Sequence, residues 1–283
     1  MVATPLGNLE DITYRAVKTL AAVDLIAAED TRRTRKLLSY YQIAKPLCSY
    51  HAQNAALRGP ELLARLEAGQ QIALVSDAGT PGFSDPGAQL VDQAWQKGIS
   101  VVAIPGPAAG VAALSISGFS GEVVFVGFLP RKGQKRQELL SRLAREPRVL
   151  IIYESPRRLV RTLQDLAQVM PQRQVLVARE LTKMFEDCRR GPLPELATAL
   201  AGEEIQGECT LVLSRPEDLP EVTPDVRSFL LAAAQSGKSS RVLVQEAVQA
   251  LKVSRRLAYQ TLLELKAAGL LPAHAAANEG DKE

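Results

Sequence analysis

Short β-branched runs that alternate with helix-period segments constrain this chain most, because such alternation builds βα units around a mainly parallel sheet. Residues 2–4 read as a strand end, 12–22 as a helix, 25–28 as a strand, and 31–41 as a helix with Leu37, Leu38 and Tyr41 on one face. A helix over 61–67, a strand over 72–76, a helix over 88–97 and a strand over 101–104 follow. The Pro105-Gly106-Pro107 turn then leads into a small-residue helix over 108–115, which closes a first domain, 1–117.

A second α/β domain, 118–214, follows from strands over 123–128, 150–153, 175–178 and 210–213, with helices over 135–145, 156–170 and 193–201 between them. The stretch 215–224 carries three prolines and reads as a linker. Helices over 226–234, 239–251 and 254–268, with a polar tail from His274, make a small helical unit over 225–283. The expected fold class is α/β: two α/β domains plus a C-terminal helical unit. The 283 residues suffice for that many cores.

Composition narrows the function. Hydrophobic residues at 46% and charged ones at 23% exclude a disordered, collagenous or coiled-coil chain. There is no apolar run of membrane-spanning length, and residues 1–8 lack the features of a signal peptide, so a cytoplasmic protein without a membrane partner is expected. Cys48, Cys188 and Cys209 form no C-x-x-C pair, and the histidines are His51 and His274. Neither a disulfide framework, a metal site nor a Ser-His-Asp arrangement is suggested, which leaves carboxylates, hydroxyls, lysines or a cofactor to do any chemistry.

The net charge of +3 is small, but the basic residues cluster: Arg32, Arg33, Arg35 and Lys36; Arg131, Lys132, Lys135 and Arg136; Arg157, Arg158 and Arg161; Lys252, Arg255 and Arg256. Any one cluster reads first as a solvated helix face. Four together point to a polyanionic partner, with Arg32, Arg33, Lys36, Arg157, Arg158, Arg255 and Arg256 as the candidate contacts.

The loop Ser76-Asp-Ala-Gly-Thr-Pro-Gly-Phe-Ser-Asp-Pro-Gly87 follows a strand directly, where α/β proteins bind ligands. A tight strand-to-helix turn is its plainer reading, and it fits neither the dinucleotide fingerprint nor the P-loop. Ala27-Ala-Glu-Asp-Thr-Arg-Arg-Thr-Arg-Lys36 is a second such strand end. There Asp30 or Thr31 can cap a helix, and Glu29 or Asp30 can accept a proton beside a phosphate-binding surface. The turns at Thr4 to Leu9, Tyr153 to Arg158 and Arg179 to Lys183 complete a set that implies one cleft between two α/β domains.

Taken in order, Thr4-Pro-Leu-Gly-Asn-Leu-Glu-Asp-Ile-Thr13, Ala28-Glu-Asp-Thr-Arg32, the 76–87 loop, Pro105-Gly-Pro107, Gly127-Phe-Leu-Pro130, Tyr153-Glu-Ser-Pro156 and Arg179-Glu-Leu-Thr-Lys183 resemble the ribosomal RNA small subunit methyltransferase I family, of the tetrapyrrole methylase superfamily. The resemblance implies the superfamily's two-domain architecture with a cofactor cleft between the domains. It implies S-adenosyl-L-methionine as cofactor, a homodimer, and methylation of the ribose 2′-hydroxyl of a cytidine, position 1402, in the decoding region of 16S ribosomal RNA of the 30S subunit. By motif it assigns Asp77, Ala78, Gly79 and Thr80 to the cofactor loop, and Pro107, Ala108, Phe128, Tyr153, Ala178 and Leu181 to the rest of that pocket. The weakly acidic hydroxyl needs a proton acceptor or a cation for the developing alkoxide, and Asp30, Glu29, Glu180 and Lys183 are the candidates.

Two positions depart from the family pattern. Only Met1, Val2 and Ala3 precede the first Thr-Pro turn, so either a misassigned start or a short first strand is expected, and Arg157 stands where the family often has His. The C-terminal helices read equally as an RNA-positioning helix-turn-helix and as packing. Two other functions remain open: a tetrapyrrole small-molecule methylase, against which the basic clusters argue, and a non-enzymatic nucleic-acid-binding ligand sensor, which cofactor turnover would exclude.

Overall fold

The computed structural model describes residues 1–216, 226–234, 238–251, 253 and 255–271. Residues 1–216 form one compact unit and the chain from Glu217 onward another. The first unit runs α1 (Tyr14–Ala22), β1 (Leu25–Ala28), α2 (Thr31–Tyr40), β2 (Leu47–Ser49), α3 (Ala55–Glu67), β3 (Ile72–Val75), α4 (Ala88–Gln96) and α5 (Ala109–Ser117). It continues with β4 (Val123–Phe128), α6 (Gln134–Leu143), β5 (Val149–Glu154), α7 (Pro156–Val169), β6 (Gln174–Arg179), β7 (Asp187–Pro192), α8 (Leu193–Ala199) and β8 (Cys209–Leu213).

Local chemistry sets the element ends. Thr13 caps α1 by accepting from Ala16 N, Asp30 caps α2 through Arg32 N, and Pro156 opens α7 at a position where no N–H is needed. Gly118, at φ 71°, closes α5 in the left-handed region.

The first sheet is parallel, in the order β2-β1-β3, and every residue of β1 is buried, as a strand covered on both faces requires. The expected strands over 2–4 and 101–104 shrink to a parallel bridge between Val2 and Ile104, beside which Val2 N donates to Leu74 O.

The second sheet has the order β4-β5-β8-β6-β7. Only β4 and β5 pair in parallel; β8 lies antiparallel between β5 and β6, and β7 is antiparallel to β6. This corrects the expectation of a mainly parallel sheet. The difference arises because β7 returns through the tight 180–186 turn and β8 inserts between its neighbours rather than adding at an edge. The small-residue helix α5, assigned by chain order to the first domain, packs on the second sheet: its Ala113 shares a core with Val149, Ile151, Leu176, Ala178 and Val212.

The C-terminal unit contains α9 (Val226–Ala234), α10 (Ser240–Leu251) and α11 (Arg255–Ala267) around Leu230, Leu243, Val244, Ala258, Leu262 and Leu265. Residues 217–224 of the expected linker, Lys252 and the tail from His274 lie outside the described residues.

Candidate active site

The carboxyl ends of β1 and β3 place Glu29, Asp30 and Asp77 side by side. Asp30 N donates to Asp77 Oδ1 (2.9 Å), and Asp77 N donates to Glu29 Oε2 (3.3 Å), so the two strand ends are cross-tied. The Asp30 side chain accepts from Arg32 N (2.8 Å) and from the Arg32 guanidinium (2.7 and 3.1 Å). Those hydrogen bonds hold its carboxyl well below the usual carboxylate range, so Asp30 serves as a helix cap and ion-pair partner and is a poor base.

The 77–80 loop is held from both sides. Gly79 exchanges two backbone hydrogen bonds with Thr4, both 2.9 Å, and Thr80 Oγ1 donates to Pro107 O (3.0 Å). Gly79 has φ 82°, and a Cβ there would stand 3.3 Å from Leu6 Cδ2 and 3.6 Å from Pro107 O. Across the cleft, the Tyr153 hydroxyl accepts from Gly110 N (3.0 Å), and Tyr153 packs edge-on against Phe125 (5.1 Å) and Phe128 (5.8 Å). The structure thus brings together Asp77, Ala78, Gly79, Thr80, Pro107, Ala108, Tyr153 and Phe128. Ala178 and Leu181 are buried in the core layer against which Tyr153 packs. Phe83 and Phe125, stacked at 3.9 Å, join Tyr153 in one aromatic group and were not singled out by sequence.

The turn after β6 closes the other flank. Asn8 N donates to Thr182 Oγ1 (3.2 Å), and the Lys183 stem lies over Gly7, filling the space a side chain there would take. Glu180 and Thr182 both adopt positive φ, 53° and 65°, the kind of backbone strain that surrounding contacts must hold in place. Burial pushes the Glu180 carboxyl up, but hydrogen bonds from Lys183 (2.8 Å) and Glu208 N (2.9 Å) outweigh it and hold the group low. Burial likewise pushes the Lys183 ammonium down, and Glu180 and Glu208 more than offset that, so Lys183 stays charged. Glu180 and Lys183 are therefore a paired structural clasp, and neither is a free base.

The basic candidates divide. Arg33 and Lys36 line a cavity of about 170 Å3 with Thr4, Pro5, Gly7, Ser76 and Asp77, and Arg32 and Arg157 project into solvent. Arg158 instead turns inward, pairing with Glu154 (2.5 Å), whose side chain is fully buried, and donating to Leu129 O (3.1 Å). Arg136 is buried too, bonded to Asp165, Thr162 and Pro130 O. Both correct the reading of those clusters as solvated surface, since the buried Glu154 carboxylate and the buried Arg136 guanidinium each require a partner. Arg255 and Arg256 are exposed on α11. A separate cavity of about 540 Å3, lined by Gln71, Ile72, Leu90, Ala94, Val101 and Val102 among others, lies at the amino end of β3 and includes none of these groups.

Comparison with known proteins decides the family. A model of the tetrapyrrole (corrin/porphyrin) methylases matches residues 1–197. The chain is 48% identical to ribosomal RNA small subunit methyltransferase I of Synechocystis sp. over 278 residues, 95% of this chain and 98% of that one. The chain belongs to the ribosomal RNA small subunit methyltransferase I family. The member from Thermotoga maritima is also 48% identical, over 77% of this chain and 98% of its own, and that from Mesorhizobium japonicum 43%, over 94% and 91%. Membership in this methyltransferase family makes the chain an enzyme.

Solved structures share the methyltransferase's fold. A cobalt precorrin-4 methyltransferase covers 77% of this chain and 94% of its own at TM-score 0.58 and 16% identity. A uroporphyrin-III C-methyltransferase from Thermus thermophilus, complexed with S-adenosylhomocysteine, covers 75% and 95% at TM-score 0.55 and 19% identity. Among the described residues of this methyltransferase, no helix is long and apolar enough to cross a membrane.

Proposed function

We propose that this enzyme uses S-adenosyl-L-methionine to methylate the ribose 2′-hydroxyl of a cytidine in the decoding region of 16S ribosomal RNA, within the 30S subunit. The observation that carries this reading is the 77–80 loop. It is clamped between Thr4 and Pro107, holds Gly79 at a φ of 82° that an L side chain rarely adopts, and adjoins the basic edge of Arg33 and Lys36. Such a loop lets a ligand approach backbone, and the basic edge suits a phosphate backbone.

When bound, the cofactor supplies a methyl group activated by a sulfonium. The residues here would orient it: Asp77 and Glu29 complement its positive charge, the Gly79 backbone lies alongside it, and Tyr153, Phe125 and Phe128 exclude water from one wall. Ala178 and Leu181 support that wall from beneath. Arg32, Arg33, Lys36 and Arg157 would position the RNA, joined by Arg255 and Arg256 of the helical unit. The halves 1–117 and 118–214 supply opposite walls of the cleft. Val111 and Ile116 of α5 and Met184 and Phe185 of the 180–186 turn are exposed apolar side chains of the kind a second copy would cover, in keeping with a homodimer.

The test is transfer of labelled methyl from S-adenosyl-L-methionine to 30S subunits that lack the modification, with the product nucleoside identified by mass spectrometry. A 2′-O-methylcytidine at a single site is expected. Unlabelled 30S subunits in the presence of measurable cofactor binding would refute the reading and favour a small-molecule acceptor.

A further inference from the structure

The reaction proposed above needs an acceptor for the hydroxyl proton, and of the sequence candidates Asp30, Glu180 and Lys183 are tied up in ion pairs, while Glu29 accepts the Asp77 N–H. Another carboxyl stands in the cleft. Asp85 lies in the loop after β3, beyond the 77–80 turn. Phe83 of that loop stacks on Phe125 of β4, and Ser84 Oγ stands 3.1 Å from the place a Cβ on Gly127 would take, so the loop is pinned against the second sheet. Gly127 has φ 71° beside an irregularity in β4, which opens the room.

Asp85 is half-buried. The charged groups that act on it are Glu29 at the end of β1, Asp77 and Glu208 ahead of β8, and Tyr153 of β5 feels its charge in turn. The described residues include no ion-pair partner for it. The ordinary structural duty of an aspartate just before a helix, capping, is also absent, since the N-cap of α4 is Gly87 and no side chain caps that helix.

We propose that Asp85 is the catalytic proton acceptor: its carboxylate takes the proton of the ribose 2′-hydroxyl during methyl transfer. The proposal rests on the function argued above. Asp85 accepts the proton as the O–H bond breaks. A lone pair of the same oxygen forms the bond to the methyl carbon, the carbon–sulfur bond opens, and its electron pair stays on sulfur. The protonated carboxyl then returns the proton to water.

Burial, then Glu29, with Asp77 and Glu208 behind it, pushes this carboxyl up to about 6. Asp85 is therefore ionised at neutral pH yet a stronger base than an ordinary carboxylate, the condition under which general bases work best.

The experiment uses the full chain with Asp85→Asn and Asp85→Glu. Calorimetry with S-adenosyl-L-methionine should give the same affinity within twofold for Asp85→Asn. Single-turnover transfer to 30S subunits should fall roughly 100- to 10,000-fold at neutral pH, with partial return in Asp85→Glu. The parent rate should level off above the Asp85 titration, and Asp85→Asn should lose that plateau. Carboxyl carbon-13 shifts of the free parent should titrate near 6 and move down in Glu29→Gln.

Parent-like transfer by Asp85→Asn would overturn the proposal, as would loss of cofactor affinity in that variant or a midpoint in the ordinary carboxylate range. A parent that leaves 30S unlabelled refutes the functional reading and the role of Asp85 with it. Normal parent transfer with an equally fast Asp85→Asn refutes the role alone.

Discussion

Replacing Gly79 by alanine tests the cofactor loop with a single methyl group. At φ 82° an L residue is strained wherever it sits, by about 1–2 kcal/mol. The contacts add little, because the nearest atom, Leu6 Cδ2 at 3.3 Å, is the movable end of a side chain and Pro107 O at 3.6 Å is in ordinary contact. Backbone strain therefore dominates. If the strain is borne by the whole first unit, unfolding should shift down by roughly 2–8 °C, taking about 2–4 °C per kcal/mol for a body of this size. If the loop relaxes instead by loosening the paired hydrogen bonds with Thr4, the loss appears in binding, and S-adenosyl-L-methionine affinity should fall about 5- to 30-fold. Gly79→Val should lose more in both readouts, since a branched Cβ tolerates positive φ least. Scanning fluorimetry and calorimetry on the two variants separate the cases. Parent-like melting together with parent-like affinity in Gly79→Ala would refute the reasoning, because the strain must be lodged somewhere.

Tyr153→Phe removes the acceptor of the Gly110 N–H and should destabilise the unit by about 1–3 kcal/mol in urea unfolding, with the helix α5 side of the pocket loosened. Arg158→Ala should cost about 3–5 kcal/mol by removing the ion-pair partner of the buried Glu154 carboxylate and leaving it only the hydrogen bonds from Ser155 and Thr162, whereas Arg157→Ala should leave unfolding unchanged and lower RNA affinity. Arg32→Gln combined with Lys36→Gln should lower the steepness of RNA binding against salt by about one to two ions, read by filter binding over a salt series.

The backbone of this reading was visible in sequence where it is local. The strands 25–28, 72–76 and 123–128 and the turns at their carboxyl ends are marked by β-branched runs broken by Gly, Pro and Asp, and these turns line the cleft. What sequence hid is non-local. β7 spans Asp-Cys-Arg-Arg-Gly-Pro, too polar to read as a strand, and earns its pairing only as an edge beside β6. The antiparallel insertion of β8 leaves no local mark either. Arg136 and Arg158 look like their solvated neighbours, because what turns them inward is burial: Arg136 meets Asp165 on another helix, and Arg158 meets Glu154, only four residues back but fully buried at the end of β5. Asp85 lay within the quoted 76–87 loop, but nothing in a Ser-Asp-Pro-Gly string tells of its burial or of the charge of Glu29 acting on it.

Gly7 and Lys183 are distant in the chain, yet they share one volume. Their histories should consequently be bound together. A side chain at position 7 evicts the lysine from its two glutamates, so it is acceptable only after position 183 has shortened, and a shortened 183 leaves a gap that then favours a larger residue at 7. Among related sequences the two positions should change as a pair or not at all, and in the laboratory Gly7→Ala should be milder in a Lys183→Ala background than in the parent, a coupling whose sign follows from steric exclusion alone.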